Sequence, residues 1–159
     1  IGHVAGGEGN DNDGNEVDTN AFTDPQEAVA FVEQTGVDAL AIAFGTVHGV
    51  YKGTPKLELQ LLDEIRSKVD IPIVMHGGSG LADEDFRNAV AHGISKINFC
   101  TGLFLSTTEA ARKAIDENGG RMQLPAVLGV IHKRAREEMA HLFEVYHTQP
   151  LALENIAHK

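Results

Sequence analysis

The sequence contains little cysteine and no long apolar run. Its 1 cysteine among 159 residues excludes an intramolecular disulfide framework and fits a reducing compartment. No apolar run approaches the roughly 20 residues that a membrane-spanning helix needs. The first residues lack the basic and apolar regions of a secretory leader. A membrane protein and a secreted disulfide scaffold are therefore disfavoured, and we expect a cytoplasmic location.

Basic residues are missing from the first third of the chain. Residues 1–51 contain 9 Asp or Glu and no Lys or Arg, so the remaining 14 of the 23 acidic residues and all 13 basic residues lie in 52–159. The sequence therefore offers no basic stripe that could follow a nucleic-acid backbone. We expect no nucleic-acid partner and no membrane partner.

Glycine is the residue type in clear surplus. The chain has 17 glycines in 159 residues, about 11% against a usual level of about 7%. Such a surplus indicates tight turns or backbone that must come close to a ligand. The length fits one domain, 1–159, because globular domains average roughly 150 residues.

Apolar runs alternate with amphipathic helical patterns. We predict helices near 25–35, 57–65, 83–92, 103–117 and 123–146, and strands at 37–44, 71–75 and 96–99. This alternation is typical of βαβ units and a parallel sheet. Residues 1–22, rich in Gly, Asn and Asp, are predicted to form a mobile acidic loop, and 123–159 a helical C-terminal extension.

A loop with glycine and polar residues follows each predicted strand, at 45–49, 76–80 and 98–102. In parallel α/β folds, ligands bind at the carboxyl ends of the strands. His48 and His76 take equivalent positions in two of these loops, and two imidazoles could bind one zinc ion. The alternative is that each is a hydrogen-bonded structural histidine.

The second loop also has the composition of an anion site. Gly77, Gly78 and Gly80 could let backbone N–H groups face a phosphate, to which Ser79 and Thr101 would add hydroxyl donors. The alternative is a tight turn between a strand and a helix, with Ser79 or Asp83 as the helix cap.

Three runs carry a resemblance to a known family. They are GTVHGVYK at 45–52, PIVMHGGSG at 72–80 and KINFCT at 96–101, and VDALA at 37–41 precedes the first. In order, spacing and context they resemble the class II, zinc-dependent ketose-bisphosphate aldolases of the fructose and tagatose type. The resemblance covers roughly 1–117 and implies a (β/α)8 TIM barrel, of which this chain supplies about the C-terminal half.

The resemblance also implies a chemistry and a set of site residues. It implies reversible aldol cleavage of a ketose phosphate to dihydroxyacetone phosphate and an aldehyde, with zinc polarising the ketose carbonyl. Zinc would bind His48 and His76, and Glu8 would move the proton on the triose carbon. The implied substrate-binding residues are Gly49, Lys52, Gly77, Gly78, Ser79, Asn98, Phe99, Cys100 and Thr101. The resemblance leaves open whether a monovalent cation binds beside the zinc. The family implies a homodimer or homotetramer.

The sequence departs from the family in three places. No Asp-His dipeptide occurs, although in the family this pair supplies the third zinc ligand and an acid/base group. Cys100 stands where the fructose-specific branch has aspartate, and 102–105 lack its phosphate-binding arginine. We favour the second half of a longer enzyme over a partner chain that supplies the pair or an inactive protein.

Two other functions stay open at this point. One is a non-catalytic half-barrel that binds a sugar phosphate without turnover. The other is a different phosphate-binding barrel, such as an isomerase or an epimerase. The paired histidines argue against the latter, since a barrel without a metal would not need them.

Overall fold

A computed structural model of the chain describes residues 1–4, 6, 21–49, 51, 53 and 55–150. Its elements, in chain order, are α1 (Pro25–Thr35), β1 (Leu40–Ala41), α2 (Leu59–Lys68), β2 (Ile73–Met75), α3 (Asp83–Ala91), β3 (Ile94–Ile97), α4 (Thr101–Glu117) and α5 (Leu124–Val145).

The three strands form a parallel sheet in the order β1-β2-β3. Leu40 pairs with Ile73 across the first ladder, and Met75 pairs with Ile97 across the second. All residues of the central strand β2 are buried, as expected for a strand covered on both faces. The predicted parallel sheet is confirmed, and the carboxyl ends of the strands share one edge.

The ends of the outer strands differ from the prediction. β1 occupies only part of 37–44, because the apolar run continues into a buried loop where the Phe44 carbonyl accepts from the Glu58 amide at 2.8 Å. β3 begins earlier than the predicted 96–99 and ends at Ile97. The next amide, that of Asn98, still donates to the Met75 carbonyl at 2.9 Å.

Capping fixes both ends of α1. The Asp24 carboxylate accepts from the amides of Gln26 at 2.7 Å and Glu27 at 3.0 Å, so Asp24 is the N-cap. Gly36, with φ +63°, ends the helix in the left-handed conformation that glycine favours. Thr23, the residue before the cap, is buried, and its hydroxyl accepts from the Ala43 amide at 2.8 Å.

The helical patterns place most of the core correctly. Leu62 and Ile65 of α2 are fully buried, as their spacing predicts. Phe31 of α1 is exposed, because Ala28 is the buried residue of that helix and Val32 packs against the core.

The helix α5 is anchored to the core by its C-terminal half. Leu142 and Val145 belong to the main hydrophobic cluster, whereas Leu124 and Leu128 near the start of the helix are exposed. The large apolar side chains of α5 are therefore fully buried only at its C-terminal end. The predicted loop at 1–22 and the tail at 151–159 lie largely outside the described residues. No helix in the described part of the chain is long and apolar enough to cross a bilayer.

We expect Leu142→Ala to destabilise the protein much more than Leu128→Ala. Leu142 is 3% exposed and Leu128 is 43% exposed on the same helix. Removing a buried leucine side chain costs about 2–5 kcal/mol, whereas exposed substitutions usually change stability by about 0.5 kcal/mol or less. Urea unfolding of the full-length protein measures both. Equal losses of stability in the two variants would show that the C-terminal half of α5 contributes no more to stability than the N-terminal half.

Candidate functional site

The loops after β1, β2 and β3 meet at the shared carboxyl edge of the sheet. They surround a small cavity lined by His48, Gly49, His76, Gly77, Gly78, Ser79, Asn98, Cys100 and Thr101. Residues from three distant stretches of sequence are thus neighbours, because the parallel strands end on one side.

The two histidines lie face to edge in this cavity. Their ring centroids are 5.4 Å apart and their planes are inclined at 67°. Two imidazoles that share one tetrahedral zinc ion, with Zn–N distances of about 2.0–2.1 Å, have ring centroids about 5 Å apart. The spacing therefore fits a shared metal ion. Within the described residues there is no group of three or more His, Cys, Asp or Glu side chains that could hold a metal.

A polar chain orients the ring of His76. The Lys96 ammonium donates to the Asn98 Oδ1, and the Asn98 amide nitrogen lies 2.7 Å from the His76 Nε2. Because the lysine contacts the amide oxygen, the amide NH2 of Asn98 faces the imidazole. Asn98 thus contacts a candidate metal ligand directly, whereas the resemblance implied only a substrate contact.

The backbones of the first and second loops touch at Gly77. This glycine has φ +73°, and a Cβ built on it would lie 2.4 Å from the Val47 carbonyl oxygen. Glycine is therefore required at position 77 for two reasons: the positive φ and the lack of space for a side chain. Gly78 faces the Phe86 ring, with a built Cβ 2.9 Å from it. The glycines of this loop thus have packing reasons in addition to the expected exposure of amides to an anion.

The second loop is also tied to the start of α4. The Ser79 hydroxyl accepts from the Gly102 amide at 2.8 Å, so it satisfies an amide in the first turn of that helix. Ser79 and Thr101 are both buried, at 7% and 8% exposure. The amino end of a 17-residue helix therefore borders the cavity, where its dipole favours an anion. Cys100 is half-buried and also lines the cavity.

Phe99 is the expected substrate-binding residue that the structure places elsewhere. Its ring packs against Phe86, with centroids 6.3 Å apart, and beside Gly102. It lines a separate cavity of about 710 Å³ beside β3. Glu8 and Lys52, expected to act on the triose carbon and the phosphate, lie outside the described residues.

Tyr51 is a residue beside the site for which no role was predicted from the sequence. Its hydroxyl donates to the Gly77 carbonyl at 2.7 Å and accepts from the Val47 amide at 3.2 Å. Burial raises the pKa of Tyr51 above its ordinary value. The hydrogen bond from the Val47 amide lowers the pKa in part, and the negative charge of Asp85 raises it. The phenol therefore stays protonated at neutral pH. Its place inside the GTVHGVYK run was the only signal in the sequence.

We expect Gly77→Ala to destabilise the loops more than Gly36→Ala. Both glycines have positive φ, +73° and +63°, but a Cβ at Gly36 would meet nothing within 4 Å. The control thus carries the conformational cost, roughly 1–2 kcal/mol per residue, without the collision with Val47. Thermal unfolding with backbone hydrogen exchange of 45–49 measures the difference. An equal loss in both variants would show that the backbone contact is unimportant.

The fold and the site together define a partial α/β barrel with two histidines at the carboxyl edge of its strands. The family model described as fructose-bisphosphate aldolase class-II matches residues 1–149. The chain therefore belongs to the class-II fructose-bisphosphate aldolase family. This confirms the resemblance carried by the three sequence runs, and with it the partial TIM-barrel fold.

Solved structures agree with this assignment. The YdjI aldolase from Escherichia coli K12 is 35% identical, with a TM-score of 0.70 over 80% of this chain and 46% of its own. A candidate fructose-1,6-biphosphate aldolase from Coccidioides immitis is 24% identical, with a TM-score of 0.73 over 92% and 50% of the two chains. Fructose-bisphosphate aldolase (Fba) from Campylobacter jejuni is 24% identical, with a TM-score of 0.66 over 79% and 45%. The chain spans about half the length of these neighbours.

Proposed function

We propose that this chain forms part of a zinc-dependent aldolase that reversibly cleaves a ketose phosphate or bisphosphate to dihydroxyacetone phosphate and an aldehyde. The single observation that carries the proposal is the pair His48 and His76, with ring centroids 5.4 Å apart at the carboxyl edge of the sheet. Family membership over residues 1–149 supports the same chemistry.

His48 and His76 are the residues that would hold the zinc ion. A bound zinc supplies a Lewis acid that polarises the substrate carbonyl. Asn98 keeps the His76 ring in place through the contact at 2.7 Å, and Lys96 fixes the amide of Asn98.

The substrate we propose is a phosphorylated sugar of tagatose- or fructose-bisphosphate type. Ser79 and Thr101 border the cavity beside the amino end of α4, which favours a phosphate group. Cys100 stands where the fructose-specific branch has aspartate, so we favour the tagatose-type stereochemistry. Gly49 and Lys52 as phosphate contacts, Glu8 as the proton-transfer group and a monovalent cation stay predictions.

The described residues supply two imidazoles and no third metal-binding side chain. Since the chain spans about half the length of its structural neighbours, we propose that the third ligand and an acid/base group belong to the remainder of the enzyme. The same observation favours the second candidate function, a half-barrel that binds a sugar phosphate without turnover.

Zinc dependence is tested on the full-length protein by following triose-phosphate release from tagatose and fructose bisphosphates, with and without chelator. We expect chelation to abolish activity and added zinc to restore it. His48→Ala and His76→Ala should each lower activity and zinc content by about 100-fold or more, since each removes a metal ligand. His132→Ala, at an exposed helical position, is the matched control.

Two outcomes would contradict the proposal. Activity that survives chelation would exclude the zinc mechanism. Binding of a sugar phosphate without turnover, in a full-length protein that retains zinc, would favour the non-catalytic half-barrel.

We also propose a homo-oligomer, a dimer or a tetramer. Large apolar side chains are exposed on α4 and near the start of α5, with Phe104 at 61%, Leu105 at 54% and Leu124 at 68%. Large exposed apolar side chains of this kind are candidates for a surface that a partner covers. Sedimentation of the full-length protein should give a dimer or tetramer mass, which Phe104→Ser with Leu105→Ser should lower. A monomer at all concentrations would contradict this.

A cytoplasmic location stays a prediction.

A further inference from the structure

One side chain links the two loops that carry the histidines. The Tyr51 hydroxyl accepts from the Val47 amide at 3.2 Å and donates to the Gly77 carbonyl at 2.7 Å. Val47 directly precedes His48, and Gly77 directly follows His76. Each hydrogen bond therefore holds the backbone one residue away from an imidazole.

The ring of Tyr51 is confined as well. A Cβ built on Gly80 would lie 3.1 Å from the Tyr51 Cδ2, so the aromatic ring packs closely against the end of the second loop. The phenol thus has little freedom to swing away from its two partners.

Backbone packing and this phenol both connect the two loops beside the imidazoles. The Val47 carbonyl and Gly77 are in contact, but a contact alone resists approach and does not resist separation. The two hydrogen bonds of Tyr51 supply the opposing restraint, because they hold the loops together. The backbone contact and the two hydrogen bonds together limit both the approach and the separation of the two loops.

We propose that Tyr51 is a positioning residue whose hydroxyl holds the His48 and His76 loops at the spacing that a shared ligand requires. It acts through the backbone beside the histidines. The inference rests on the proposed function in so far as that ligand is zinc. The bracing itself can be measured without metal.

The test compares Tyr51→Phe with Tyr146→Phe in the full-length protein. The chain has 2 tyrosines. The Tyr146 hydroxyl is also buried but has no hydrogen-bond partner among the described residues, so it is a matched control for the loss of one buried oxygen. Tyr51→Phe keeps the ring against Gly80 and removes only the bridge.

Three measurements are made on each variant. Hydrogen exchange of the metal-free protein follows the Val47 amide and 76–80. Competition with a chromophoric chelator gives the zinc dissociation constant, and the visible spectrum of the cobalt-substituted protein reports the ligand geometry. We expect Tyr51→Phe to speed exchange in both loops and to weaken zinc binding by about tenfold, the lower range for residues that orient metal ligands. Its cobalt spectrum should shift, and Tyr146→Phe should match the wild type in all three.

The outcomes separate this inference from the proposed function. If the wild type binds no zinc, the proposed function fails, while faster exchange in Tyr51→Phe still supports the bracing. If Tyr51→Phe keeps the wild-type exchange rates, zinc affinity and cobalt spectrum, the inference is overturned and the proposed function stands. An equal change in both variants would also overturn it, because loss of any buried hydroxyl would then suffice.

Discussion

The candidate site depends on the common direction of three adjacent strands. Because β1, β2 and β3 run parallel, the chain leaves each of them on the same side and must return over the sheet before the next begins. The fully buried β2 lies between the other two, so the loop that follows it touches both neighbouring loops. Every polar group at the site reaches its place through this alignment.

Close backbone approach is the second condition for the site. Val47 and Gly77 come so near that no side chain fits between them, which explains why the second loop requires glycine there. In the sequence, the same glycine reads equally well as part of an anion site. The two requirements are compatible, since a loop built from backbone groups both packs tightly and presents its amides.

Much of the fold could be predicted from the sequence, because helical spacing and buried runs follow from simple periodicity. Leu62 and Ile65 were placed in the core for this reason. The strand ends could not be predicted, since the apolar run through Phe44 serves a buried loop as well as a strand. Hydrophobicity alone does not distinguish a residue in a ladder from a buried residue beside it.

Site residues could be predicted from the sequence where their place depends only on the direction of the strand before them. His48 and His76 follow adjacent strands, and the structure brings their rings together. Tyr51 depends on contacts across 26 positions of sequence, which no local pattern encodes. Phe99 shows the opposite case, because its place in a matching run did not determine the side of the chain to which its ring points.

The loop after β3 borders two cavities at once. Asn98 and Cys100 line both the small cavity with the histidines and the cavity of about 710 Å³ beside β3. A segment that fills the larger cavity therefore contacts residues that also contact a ligand in the smaller one. If such a segment changes the affinity for the ligand by some factor, thermodynamic linkage requires that the ligand change the affinity for the segment by the same factor. Filling the larger cavity and occupying the smaller one are then reciprocally linked.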